Sequence, residues 1–121
     1  MKRILQLAFA CFVASVAATA GTWSGGLVDS ECYGSMMRNV SQSAGHVGVD
    51  PDRALRDCAP TPETKSFAVV QHGTAVNLDP ATNDKVIDFL KRTHVKAPYM
   101  IKIGGEMQGD ALKVSSIKST R

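Results

Sequence analysis

Two cysteines, Cys32 and Cys58, constrain this chain more than any other feature. A third, Cys11, falls inside an N-terminal stretch with the anatomy of an export signal. Lys2 and Arg3 form a positive start, and Ile4 to Ala18 is apolar apart from Gln6 and Ser15. Ala18-Thr19-Ala20 then supplies the small residues of a cleavage site before Gly21. Residues 1–20 are therefore read as a cleaved signal peptide, leaving residues 21–121 as one mature domain. The apolar run is short for a bilayer span and no basic flank follows it. Cys11 does not suit a lipid anchor, because Phe9 is bulky where a small residue is needed and Phe12-Val13-Ala14 prolongs the run. With the leader gone, an even pair of cysteines in an oxidising compartment reads as one disulfide. Closing a loop of roughly 27 residues stabilises by about 3.5 kcal/mol in the chain-entropy account. That is a large part of the ~5–10 kcal/mol expected for a whole small domain. A redox dithiol wants Cys-x-x-Cys and a zinc site wants paired short spacings; neither is present.

Composition sets the class. At 121 residues, 44% hydrophobic and 21% charged, the chain fits one globular domain. The formal charge of +3 includes Lys2 and Arg3, so the mature chain is close to neutral. That balance gives no reason to expect a nucleic-acid or anionic-membrane partner. No stretch of the mature chain is apolar enough for a transmembrane segment.

Local signals then divide the mature chain. Trp23 to Asp29 alternates as a strand, with Trp23, Gly25 and Leu27 on one face and Gly25-Gly26 interrupting it. Ser30 to Lys65 reads as irregular and polar. Within it Asp50-Pro51 predicts an N-cap and first helical residue, with Ala54, Leu55 and Cys58 on one side and Pro60 and Pro62 as the stop. Val47, Val49, Ala54 and Leu55 are the loop's expected anchors. Phe67 to Gln71 and Thr74 to Leu78 form a hairpin around His72-Gly73. Thr82 or Asn83 caps a helix to about Arg92, with Val86, Ile87 and Leu90 as its stripe, acids early and bases late. Tyr99, Ile101 and Ile103 point inward on the next strand, with Met100 and Lys102 outward. Gly104-Gly105 marks a bend, and Gly109-Asp110 turns into a last strand with Leu112 and Val114 inward. Ser115-Ser116 suggests a bulge before Ile117.

The order is strand, long loop, strand, strand, helix, strand, strand. It predicts a mainly β fold, a small OB-fold-like barrel with one short helix in a disulfide-closed loop. The alternative is an antiparallel α+β sandwich. The segments Gly26-Leu27-Val28-Asp29-Ser30-Glu31-Cys32, Phe67-Ala68-Val69-Val70, Ile101-Lys102-Ile103-Gly104-Gly105 and Leu112-Lys113-Val114 also carry a resemblance. They are similar to small exported OB-fold-like proteins of environmental bacteria, a group without an assigned activity. The resemblance implies a barrel and a periplasmic or secreted bacterial protein, and brings no catalytic residues or cofactor.

The chemistry written in the chain is sparse. It contains no Gly-x-Ser-x-Gly, phosphate-binding loop, His-Glu-x-x-His or EF-hand spacing. Asp29 and Glu31, two apart, have the spacing of an acid/base pair on one strand face, but a strand end more often uses such residues as turn formers. His46, His72 and His94 are scattered and read as surface residues. Met36, Met37 and His46 offer the soft and imidazole ligands that hold copper in an oxidising compartment, although adjacent methionines more often pack beneath a loop. Trp23, Tyr33, Phe67, Phe89 and Tyr99 are better used as core than as a base-stacking platform. The expectation is an exported, non-enzymatic binding or envelope-accessory domain. Its partner is an unknown protein or small molecule, not nucleic acid. The alternative is periplasmic copper or soft-metal handling through Met36, Met37 and His46.

Overall fold

Five strands and three helices follow one another in the computed structural model of the protein, which describes residues 19–42 and 50–120. Residues 1–18 of the expected leader, with Cys11, lie outside the described residues together with His46, Val47 and Val49; its last two, Thr19 and Ala20, belong to β1 and pair with Met107 and Glu106 of β4. The elements are β1 (Thr19–Asp29), α1 (Ser30–Gln42), α2 (Pro51–Asp57), β2 (Phe67–Gln71), β3 (Thr74–Leu78), α3 (Asn83–Arg92), β4 (Tyr99–Gln108) and β5 (Ala111–Ser119). A 3-10 turn, Pro80–Thr82, precedes α3.

The strands close into a ring in the order β1-β2-β3-β5-β4. The long β1 makes this possible by serving two neighbours. Thr19 to Leu27 pair with β4, and Gly26 to Asp29 pair with β2. Gly25 does not interrupt the strand as expected; it lets two backbones meet. A Cβ there would stand 2.0 Å from the carbonyl oxygen of Val70, which only glycine avoids. Gly105 plays the same part on β4, where a Cβ would lie 2.1 Å from the carbonyl oxygen of Lys113.

The bend expected at Gly104-Gly105 and the bulge expected at Ser115-Ser116 are one feature. Gly104 pairs with Ser116 while Gly105 pairs with Val114, so Ser115 is the extra residue. The β2–β3 hairpin turns at His72 (φ 52°) and Gly73 (φ 79°), the two left-handed residues of a tight two-residue loop.

The seam between β3 and β5 is the shortest. It is parallel and holds only Asn77↔Ala111 and Leu78↔Leu112. Asp79 N–H extends it to the carbonyl of Leu112 at 2.8 Å. Thr82, expected as a helix cap, makes no side-chain cap bond. Its hydroxyl donates to the carbonyl of Asp79 (2.8 Å) and accepts from Val114 N–H (3.2 Å), carrying the closure past the ladder. The hydroxyl is buried, and an unmade bond at such a site costs more than a cap would supply.

Alternation fills the ring. Leu27, Phe67, Val69, Leu78, Ile101, Ile103, Leu112 and Val114 form its interior, and α3 adds Val86, Phe89 and Leu90. Each such side chain contributes roughly 1.5–3 kcal/mol relative to exposure. Phe89 takes the place expected for Ile87, which is only half-buried.

The segment from Ser30 to Lys65 is the main departure from expectation. It opens with a 13-residue helix, α1. The Asp29 carboxylate accepts from the N–H groups of Glu31 (3.0 Å) and Cys32 (3.2 Å), satisfying donors that a helix start leaves open. Helix α2 starts as expected, with the Asp50 side chain accepting from Asp52 N–H and Pro51 in the first position. Together α1 and α2 cover the outer face of β1 and β2, where Val28, Tyr33, Ala54, Cys58 and Ala68 make a second apolar cluster.

Candidate functional site

The end of β1 brings together the disulfide, the Asp29 and Glu31 carboxylates and a polar depression. The Cys32–Cys58 disulfide forms there, with the two Cα atoms 5.4 Å apart, inside the ordinary range for this bond. It joins the first turn of α1 to the C-cap of α2. Backbone bonds bind the same point to the sheet: Asp29 N–H donates to the carbonyl of Cys58 (2.8 Å) and Ser30 N–H to that of Ser66 (3.0 Å). Such bonds persist in oxidising compartments and not in the reducing cytosol.

Beside this junction lies an open polar depression of about 520 Å³, bordered by Ser30, Glu31, Ser35, Arg38 and Asn77. Its chemistry is mixed. One carboxylate and one guanidinium face a rim of hydroxyl and amide groups, which suits a polar ligand or a polar protein surface. The Ser30 hydroxyl is already engaged with that of Ser66 at 2.7 Å. A second, smaller depression of about 200 Å³ lies at the end of α3, bordered by Phe89, Arg92, Thr93, Ile117, Lys118 and Ser119. There Arg92 donates to the Asp88 carboxylate one turn earlier, at 2.8 Å.

The structure separates most of the candidate residues. Asp29 and Glu31 stay adjacent but do different work: Asp29 is the cap of α1, and Glu31 borders the polar depression. An acid/base role for Asp29 would compete with the two N–H groups it accepts. Met36 and Met37 are half-buried on α1 and pack against the second apolar cluster. Cys32, being disulfide-bonded, offers no thiolate beside them. His72 is exposed in the β2–β3 turn and His94 is exposed after α3. Among the described residues, no three His, Cys, Asp or Glu side chains come close enough to hold a metal ion. No described helix is long and apolar enough to cross a membrane.

The outer face of β2 is covered, with Ala68 buried and Val70 half-buried, while Ala75 and Asn77 beside it on β3 are exposed. One sequence signal pointed to α1. Tyr33, Met36, Met37 and Val40 fall at i, i+3, i+4 and i+7, the period of an amphipathic helix. Gly34 and the Ser and Asn around it, all weak helix formers, obscured the pattern. The chain matches no known protein family, no curated protein and no solved structure.

Proposed function

We propose that this chain is an exported, non-enzymatic binding or envelope-accessory domain on an OB-fold-like barrel, acting in the bacterial periplasm or medium. The observation that carries the reading is the disulfide-tied cover. The ring interior is filled by its own side chains, while α1, α2 and the disulfide are built on the outside, with a polar depression beside them. A chain arranged in this way works by contact at its surface. The ring order, the parallel β3–β5 seam and the helix between β3 and β4 support the barrel type. The disulfide supports export, and the engagement of Asp29 as a helix cap supports a role without catalysis. The reading of Met36, Met37 and His46 as a soft-metal site is the weaker one, because both methionines already contribute to packing.

A photo-crosslinking side chain at Ser35, in the depression, tests the reading, with the same group at exposed Thr74 on the β3 edge as reference. Cells exporting the protein should yield a discrete adduct from Ser35 and none from Thr74. No adduct, or turnover of a model ester or glycoside that disappears in Asp29→Asn, would show the reading to be wrong.

A further inference from the structure

The near-neutral total charge hides a separation along the chain. Residues 19–90 carry five Lys and Arg against nine Asp and Glu, whereas residues 91–120 carry six against two. Asp29, Glu31, Asp50, Asp52 and Asp57 belong to the cover and its junction on β1 and β2, together with Arg38, Arg53 and Arg56, which leaves that side a small acidic excess. The basic segment ends α3 and forms β4 and β5; β5 pairs with neither covered strand, whereas β4 pairs with β1.

On the outer face of β4 and β5, Lys102 and Lys118 stand directly opposite each other, both exposed. The β1 residue across from Lys102 is Ser24, not an acid. Among the described residues the ion pairs are Arg53–Asp57 and Arg92–Asp88, so neither lysine is in one. Like charges facing across a strand pair oppose folding. Lys113 adds a third exposed cation on β5, opposite Glu106, and Arg92 borders the same depression as Lys118. Between the charges lie only Thr22, Ser24, Gly104 and Ser116, all small.

We infer that this face rests on an anionic phospholipid surface. The inference depends on the reading of the chain as an exported contact domain and names the partner of a second face. Three features favour a lipid surface over other anions. The face is a sheet with small side chains, so it can approach a flat array of headgroups. Its cations on β4 and β5 are lysines, flexible and strongly hydrated, which suit diffuse anionic surfaces better than fixed bidentate sites. It presents no aromatic ring, its other outward residues on β4 being Met100 and Gln108, and base or sugar stacking has no platform there.

Co-sedimentation with vesicles tests this, using the protein as cells export it. The vesicles are phosphatidylcholine alone or with about one-third phosphatidylglycerol, at low (about 0.05 M) and high (about 0.5 M) salt. Binding is expected only to the anionic vesicles and only at low salt. Lys102→Gln with Lys118→Gln should lower the partition coefficient about 25-fold, roughly fivefold per lysine. Arg53→Gln with Arg56→Gln, which removes two exposed cations of the cover, should leave it unchanged. The inference is overturned by absence of binding at low salt, by equal loss in the two double variants, or by binding that survives high salt. Salt-sensitive self-association lost in the Lys102/Lys118 variant, without vesicle binding, would assign the face to a second copy and overturn it too. Absence of vesicle binding with a Ser35 adduct still formed rejects this face alone; absence of both rejects the contact-domain reading as well.

Discussion

The two outer faces of the ring are built from the same kind of strand and end in opposite states. On β1 and β2 the outward residues Val28 and Ala68 are fully buried, beneath α1 and α2. On β4 and β5 the outward residues Lys102, Lys113 and Lys118 are exposed. The inward side chains of all four strands are alike, large and aliphatic or aromatic, apart from the glycines Gly25 and Gly105. What differs is the neighbour of each inward residue. Leu27-Val28 and Phe67-Ala68-Val69-Val70 are unbroken apolar runs, the mark of a strand buried on both faces. Ile101-Lys102-Ile103 and Leu112-Lys113-Val114 alternate strictly, the mark of one buried face. Core packing therefore holds the ring together, and the outward residues decide which side can take a second layer.

Charging each face in turn breaks the comparison most strongly. Val28→Asp places a carboxylate under the cover without a partner and should cost about 4 kcal/mol or more. Lys102→Asp, on the open face, should stay within about 0.5 kcal/mol of the parent. Urea unfolding midpoints of the two variants measure the contrast, and similar losses would refute it.

The cover's covalent tie comes next. Replacing Cys32 and Cys58 together by Ala should lower stability by about 2–4 kcal/mol, while the far-ultraviolet spectrum keeps its sheet signature. If the spectrum collapses, the ring is not independent of its cover. Native exported protein should also show no free thiol at Cys32 or Cys58 before or after denaturation.

Smaller effects follow at the two faces' polar features. Asp29→Ala removes the side-chain acceptor at the start of α1 and should cost about 1 kcal/mol, with Asp29→Asn largely retaining it. Calorimetric melting of the pair separates capping from charge. Lys118→Glu turns the like-charge pair with Lys102 into an opposite one and should stabilise by roughly 0.2–1 kcal/mol. The gain should shrink as salt is raised, because both side chains are exposed. The same substitution should weaken binding to anionic vesicles, so stability and contact would move in opposite directions.

Much of the fold was legible because its signals are local. The His72-Gly73 turn, the Asp50-Pro51 helix start and the alternation around Ile101 and Leu112 each lie within a few residues, and the structure keeps all of them. The disulfide was legible by count once the leader was set aside. Helix α1 was not, because its stripe at Tyr33, Met36 and Met37 is diluted by Gly34 and short polar residues. Asp29 resembled an acid awaiting chemistry because its partners, two backbone N–H groups, exist only when α1 has formed. Gly104-Gly105 and Ser115-Ser116 were each visible as irregularities, yet nothing local says that they face each other.

By itself the sequence determined the five strand segments, α2, α3, the hairpin, the cysteine pairing and the separation of acidic from basic residues along the chain. These depend on side-chain period, backbone φ preferences and short-range capping, all settled within one or two turns or strand pairs. Only the tertiary structure decided that Thr82 would finish the β3–β5 seam, that α1 and α2 would cover β1 and β2, and that Lys102 and Lys118 would face each other on the open side. Those outcomes rest on contacts between residues far apart in the chain: Thr82 with Val114, Asp29 with Cys58, Gly25 with Val70. Each forms only when the ring has closed and its loop entropy has been overcome, so no window of sequence contains both partners.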